Sequence, residues 1–179
     1  MSFRARRLPH VHEVGRPLFI TWRLQGSLPG SRRFPETTTS GRAFVAMDRL
    51  LAETSAGPLY LKRPEIAQMV VEAIRYRDPA HYLLHHFAVM PNHVHILITP
   101  KVSVARVMQS LKRFTARQAN RILGLTGSPF WQDESYDRLV RNGEEFARIA
   151  RYIEMPAQYP WPGAGSIANR PQVSNLPHQ

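Results

Sequence analysis

Two apolar runs, Tyr82–Val89 and His93–Thr99, separated only by Met90-Pro91-Asn92, constrain the fold of this chain more than any other stretch. Pro-Asn supplies turn chemistry between two strand patterns, so the runs pair as an antiparallel hairpin. Side chains alternate faces along a strand, which puts His93 and His95 on one face and Val94 and Ile96 on the other. Two imidazoles on one face can ligate a divalent metal ion. A bare His-x-His is more often a pair of surface histidines; the turn before it and the basic, tyrosine-bearing helices after it reverse that weighting. His85 and His86 precede the turn. Alternation lets only one of them share the face of the pair, and both read as structural.

The 179 residues are enough for one well-buried domain and too few for two of ordinary size. The chain carries 24 Lys+Arg against 13 Asp+Glu, a net charge of +11. Such a surplus points to a polyanionic partner, nucleic acid first. A membrane-surface role is the rival, but there is no long apolar run, signal peptide or lipidation motif. The absence of cysteine excludes disulfides, thiolate ligands and cysteine nucleophiles, and is compatible with a reducing cytosol.

Residues 1–16 form a basic arm in which Arg4, Arg6, Arg7 and Arg16 face one acid, Glu13. Pro17–Leu24 reads as a strand and 26–40 as loop. A helix is expected over Gly41–Ala52 with Phe44, Met47 and Leu51 on one side. Leu59-Tyr60-Leu61 reads as an extended connector, and Pro64 opens a helix to Arg77 with Ile66, Met69, Val70 and Ile74 inward. Ser103 caps a long helix to Leu123 whose inner stripe is Val104, Val107, Met108, Leu111, Gln118 and Ile122; Gly124 and Gly127 stop it. A short strand Tyr136–Val140 and a helix Glu144–Glu154 follow. The Pro-rich tail 156–179 reads as disordered. Strands broken by helices, with one clear hairpin, imply an α+β architecture: a small antiparallel sheet covered by helices.

Tyr152 stands beside Arg148 and Arg151, off the stripe Phe146, Ile149, Ile153. A tyrosine so placed is usually a half-buried packing residue; with a metal site near it becomes a candidate nucleophile, since a phenol needs a base, a polarised target or cationic neighbours to attack at neutral pH. Tyr136 is a second candidate, better explained by packing. On the long helix Arg113, Arg117 and Arg121 recur every four residues beside Lys112, with no acid between Arg106 and Arg121, a basic ridge suited to phosphates. Trp22 and Phe130-Trp131 could stack on bases, but core packing explains each alone.

These segments resemble the REP-associated tyrosine transposases, within the single-tyrosine HUH (IS200-like) transposases. The resemblance rests on Met90-Pro91-Asn92-His93-Val94-His95 together with Arg6–His10, Ser110–Arg117, Phe130–Asp137 and Ile149–Glu154, in that order. It covers roughly residues 5–155, and implies one catalytic domain over 17–155 with a ferredoxin-like (RRM-like) sheet. It further implies metal-dependent cleavage and joining of single-stranded or hairpin DNA. His93 and His95 would hold Mg²⁺ or Mn²⁺, and Tyr152 would form a 5′-phosphotyrosine. Arg4, Arg6, Arg7, Lys112, Arg113, Arg117, Arg121 and Arg151 would contact DNA. A homodimer and a cytoplasmic, nucleoid-associated bacterial protein are implied as well. One departure stands out. Family members continue after Tyr-Ile-Glu with an Asn-Pro segment, and relatives place a polar metal ligand one turn beyond the tyrosine; here that position is Pro156, so the third ligand is unassigned. A catalytically impaired protein that grips hairpin DNA is the alternative, and an RNA-binding protein on the same sheet a third.

Overall fold

Residues 14–28, 48–51 and 57–154 are described by the computed structural model. The expected arm up to residue 13, with Arg4, Arg6 and Arg7, the tail 156–179 and most of the helix expected over 41–52 lie outside them. Within that helix, residues 48–51 are helical.

Four strands, β1 (Leu18–Arg23), β2 (Tyr82–Val89), β3 (His93–Pro100) and β4 (Tyr136–Leu139), form one antiparallel sheet in the order β2-β3-β1-β4. Between them run α1 (Pro64–Tyr76) after β1 and α2 (Val104–Leu123) after β3; α3 (Gly143–Glu154) follows β4. The order of strands and crossovers is that of a ferredoxin-like α+β sandwich, as expected. The expected hairpin forms, with Val89 opposite Val94 and the Met90 N–H closing onto the His93 carbonyl at 2.9 Å.

The alternation of β1 and β3 decides the layers. Leu18, Ile20 and Trp22 of β1 and Val94, Ile96 and Ile98 of β3 turn to one face, where Ile66, Val70 and Ile74 of α1 and Val104, Val107 and Leu111 of α2 cover them. Each such fully buried side chain contributes about 1.5–3 kcal/mol, so this is the main core. Phe19 and Leu97 turn to the other face and meet Ile149, Ala150 and Ile153 of α3. His93 and His95 share that second face, on which α3 packs.

Local expectations fail in four places. Tyr60–Lys62 is a 3₁₀ turn rather than an extended connector, because Lys62 N–H reaches Leu59 O at 2.9 Å while Leu61 is pulled into the core. Ser103 occupies the N-cap position of α2 without a side-chain capping hydrogen bond. The inner stripe of α2 continues from Leu111 through Thr115 and Ala119, leaving Ile122 exposed. Four-residue steps keep those positions facing the sheet, and Thr115 is polar yet satisfied: its hydroxyl donates to Leu111 O at 2.7 Å and accepts the Trp131 indole N–H at 2.8 Å. Lastly, β2 is irregular between Leu84 and His86, so alternation breaks there. Both His85 and His86 lie against Phe146, with ring centroids 5.1 and 6.2 Å away. Gly124 ends α2 in the left-handed region at φ 69°, as its position suggests.

Candidate metal centre and nucleophile

On the α3 side of the sheet three side chains converge. His93 Nε2 and His95 Nε2 are 3.1 Å apart, and Asp48 Oδ1 lies 3.3 Å from the first and 3.1 Å from the second. All three residues are buried. The histidines come together because β3 presents every second residue to this face. Asp48 comes from the helical stretch before α1 and was not found from the sequence. A signal existed: in the expected helix Asp48 falls among the inward positions Phe44, Met47 and Leu51, and a buried acid demands a partner.

Each imidazole is held from behind. Asn92 Oδ1 lies 2.7 Å from His93 Nδ1, and Thr21 Oγ1 lies 2.7 Å from His95 Nδ1. An amide oxygen can only accept, so His93 carries its proton on Nδ1 and turns the Nε2 lone pair into the cluster. The threonine hydroxyl can donate or accept and serves either form of His95. Phe19 stacks on the His95 ring at 5.6 Å. Burial pushes His93 below the usual histidine range, more than Asp48 raises it, so its imidazole is neutral at pH 7. Burial pushes the Asp48 carboxyl up, but interaction with His93 and His95 outweighs it and holds the carboxyl below the ordinary carboxylate range.

The donor set fits a divalent cation. Asp48 Oδ1 is buried yet makes no well-aligned hydrogen bond, although two imidazole nitrogens stand against it. Ligand atoms about 2.0–2.2 Å from one ion are separated by about 2.8–3.6 Å in octahedral or tetrahedral arrangements, which brackets the 3.1–3.3 Å observed. Among the described residues this is the one cluster of three His, Asp or Glu side chains so arranged.

Tyr152 joins the cluster from α3. Its hydroxyl donates to Asp48 Oδ2, and its ring packs edge-on against His95 at 5.8 Å and Phe19 at 6.4 Å. The side chain is 41% exposed, so one flank is open to solvent. One chain therefore brings the tyrosine and the three polar groups together. Arg23 stands opposite His93 in the β1–β3 ladder on the same face, its guanidinium donating to Ser27 Oγ at 3.2 Å. It was another cation missed from sequence, because nothing local marks which strand residue will neighbour the histidines.

The remaining expected residues are placed elsewhere. Arg113, Arg117 and Arg121 are exposed on the outer side of α2, across the sheet from the histidines. Lys112 differs from them: its ammonium donates to the carbonyls of Gln132 at 2.6 Å and Asp133 at 2.9 Å, tying α2 to the segment before β4. Arg151 is exposed beside Tyr152. Trp22, Phe130 and Trp131 are core residues, with Trp22 and Trp131 edge to face at 6.0 Å, so packing accounts for them. Tyr136 is half-buried, and burial pushes its phenol up. His85 pairs with Thr99 Oγ1 at 2.8 Å and His86 with Glu154 at 3.3 Å. No helix among the described residues is long and apolar enough to cross a membrane.

The site is thus a His-x-His pair on the α3 face of a ferredoxin-like sheet, with Asp48 beside it and a tyrosine on that helix. The family profile described as "transposase IS200 like" matches residues 64–156. The chain belongs to the IS200-like transposase family. Among solved structures it is similar to a REP-associated tyrosine transposase bound to a REP hairpin, at 16% identity and a TM-score of 0.54, covering 88% of this chain and 76% of that one. A protein classed as a transposase from Deinococcus radiodurans R1 also aligns, at 16% identity and a TM-score of 0.36, over 84% of this chain and 97% of that one. No curated protein matches.

Proposed function

We propose that this chain is a metal-dependent endonuclease and strand transferase for single-stranded DNA that carries a hairpin or palindromic repeat, acting through a 5′-phosphotyrosine at Tyr152. The observation that carries this is the hydrogen bond from the Tyr152 hydroxyl to Asp48, the carboxylate that completes the His93–His95 cluster. His93, His95 and Asp48 would hold Mg²⁺ or Mn²⁺, which when bound supplies Lewis-acid polarisation of the scissile phosphate and offsets charge developing there.

The chain's own groups perform the rest. As Tyr152 Oη attacks phosphorus the phenol gives up its proton to solvent; the phosphorus–O3′ bond breaks, and the departing oxygen takes up a proton from solvent to become a 3′-hydroxyl. Asp48 Oδ2 holds the phenol in place for that attack, and burial keeps bulk water from most of the cluster. A 3′-hydroxyl from another strand reverses the step by attacking the phosphotyrosine, and the phenol regains its proton. The phosphodiester bond energy is kept in the linkage, so joining needs no ATP. Arg151 and Arg23 supply positive charge near the reacting phosphate. Arg113, Arg117 and Arg121 hold phosphates of DNA away from the cleaved bond, since they lie across the sheet. Because the cluster and Tyr152 come from one chain, a homodimer is compatible with this chemistry but not required by it.

The test uses an end-labelled single strand containing a hairpin, with Mg²⁺ or Mn²⁺. Cleavage is expected with the parent, and His93→Ala should abolish it while leaving hairpin affinity nearly intact, because the ion acts mainly on the transition state. Hairpin binding by the parent without cleavage under either metal would favour the impaired-binder alternative.

A further inference from the structure

We propose that Asn92 is a positioning residue that sets both the histidine and the carboxylate side of the metal centre, one with each end of its amide. This rests on the metal-centre reading above and deepens it. Asn92 is 1% exposed. Its Nδ2 donates to the Leu51 carbonyl at 2.9 Å, and its Oδ1 faces His93 Nδ1 at 2.7 Å. The two contacts fix one another. A carbonyl can only accept, so the amide's NH₂ must face Leu51, which leaves Oδ1 for His93 and demands a proton on Nδ1. The Nε2 lone pair then points toward Asp48 and His95.

The other end acts over a longer range. Leu51 lies one helical turn after Asp48 in the same stretch, and its side chain is buried. Fastening the Leu51 carbonyl sets the rotation of that turn, and with it the approach of Asp48 Oδ1 to the imidazoles. The amide is not needed to build its own turn. The backbone there is already pinned by Leu24 N–H to Asn92 O at 2.8 Å, Leu61 N–H to Pro91 O at 3.1 Å and Met90 N–H to His93 O at 2.9 Å. What the side chain adds is directed at the site.

The test compares the parent with Asn92→Leu, which removes both contacts at similar volume, and Asn92→Asp, which keeps only the acceptor for His93. Two readouts are taken: the His93 ring tautomer in metal-free protein by ¹⁵N NMR, and Mn²⁺ affinity by electron paramagnetic resonance titration. Expected are Nδ1–H at His93 in the parent and in Asn92→Asp, loss of that single tautomer in Asn92→Leu, and about 100-fold weaker Mn²⁺ binding by Asn92→Leu. In an Asp48→Asn background the same substitution should cost only about 10-fold, because its carboxylate half is already gone. Asn92→Ser, too short to reach either partner, repeats the test should the leucine variant not fold. Parent-like tautomer and Mn²⁺ affinity in the Leu or Ser variant would overturn the proposal, and an equal loss in both backgrounds would overturn its Asp48 half. A parent that binds no Mn²⁺ would instead overturn the metal centre itself, and the tautomer readout would still decide the His93 contact.

Discussion

Replacing Asp48 by Asn should weaken metal binding far more than it lowers metal-free stability. The substitution keeps the shape and one oxygen ligand but removes the negative charge. Coulomb's law with water-like screening gives about 4 kcal/mol between a divalent ion and a carboxylate at about 2.1 Å, or about 10³-fold in affinity. Part of this is offset because a neutral amide costs less to bury, so Mn²⁺ binding should weaken by about 10²–10³-fold. Without metal the cost is smaller. The carboxylate's favourable interaction with His93 and His95 is lost, but Asp48 Oδ1 is buried with no aligned hydrogen bond and an amide N–H there can donate to the His93 Nε2 lone pair, so metal-free stability should fall only slightly. Thermal melts in chelator and in Mn²⁺ read both effects. At 100 times the parent's Kd the ion stabilises the parent by about 2.7 kcal/mol, or about 5–11 °C in Tm for a domain of this size. A variant with 100-fold weaker binding would gain about 0.4 kcal/mol and at most about 2 °C. Equal Mn²⁺-induced shifts in the two proteins would refute Asp48 as a ligand. A large loss of metal-free stability would refute the view that its Oδ1 is poorly satisfied there.

Changing Arg113, Arg117 and Arg121 together to Ala should weaken every DNA ligand similarly and lower the slope of log K against log salt by roughly 2–3; an unchanged slope would make the ridge a solvated face. Lys112→Met should cost about 1–2 kcal/mol of stability by releasing the Gln132 and Asp133 carbonyls, with no change in that slope in binding titrations. Glu145 accepts from Arg138 Nε at 2.7 Å and from Arg141 N–H at 2.9 Å. Burial pushes its carboxyl up, yet these bonds outweigh burial and hold it below the ordinary value of 4.5. Its contribution is thus full above pH 4.5 and is lost as pH falls through the depressed folded-state value. Glu145→Gln should cost about 1–2 kcal/mol at pH 7, and denaturant titrations should show the gap to the parent closing in acid.

What the sequence made legible is what period-two alternation and local turn chemistry control. The hairpin around Met90-Pro91-Asn92 and the shared face of His93 and His95 need only neighbours along the chain. The main core follows from the same alternation once Leu18–Arg23 is read as a strand. Asp48 depends instead on a tertiary contact across a long connection, and its inward place among Phe44, Met47 and Leu51 was the one local hint. The irregularity at His85 left no composition mark, so both histidines turn to Phe146 where alternation allows one. Thr115 was passed over because a polar residue breaks an apolar stripe on paper, while in the fold its hydroxyl is satisfied by Leu111 and Trp131.

Covalent capture tests the proposed chemistry most directly. A labelled single strand bearing a hairpin is incubated with the protein and Mg²⁺ or Mn²⁺, then denatured and resolved, with mass spectrometry locating the modified residue. The parent should carry the 5′ end of the cleaved strand on Tyr152, releasing a fragment with a free 3′-hydroxyl. Tyr152→Phe should bind the same DNA and form no adduct. An adduct on Tyr152→Phe, or cleavage by the parent with no protein–DNA linkage, would contradict Tyr152 as the nucleophile.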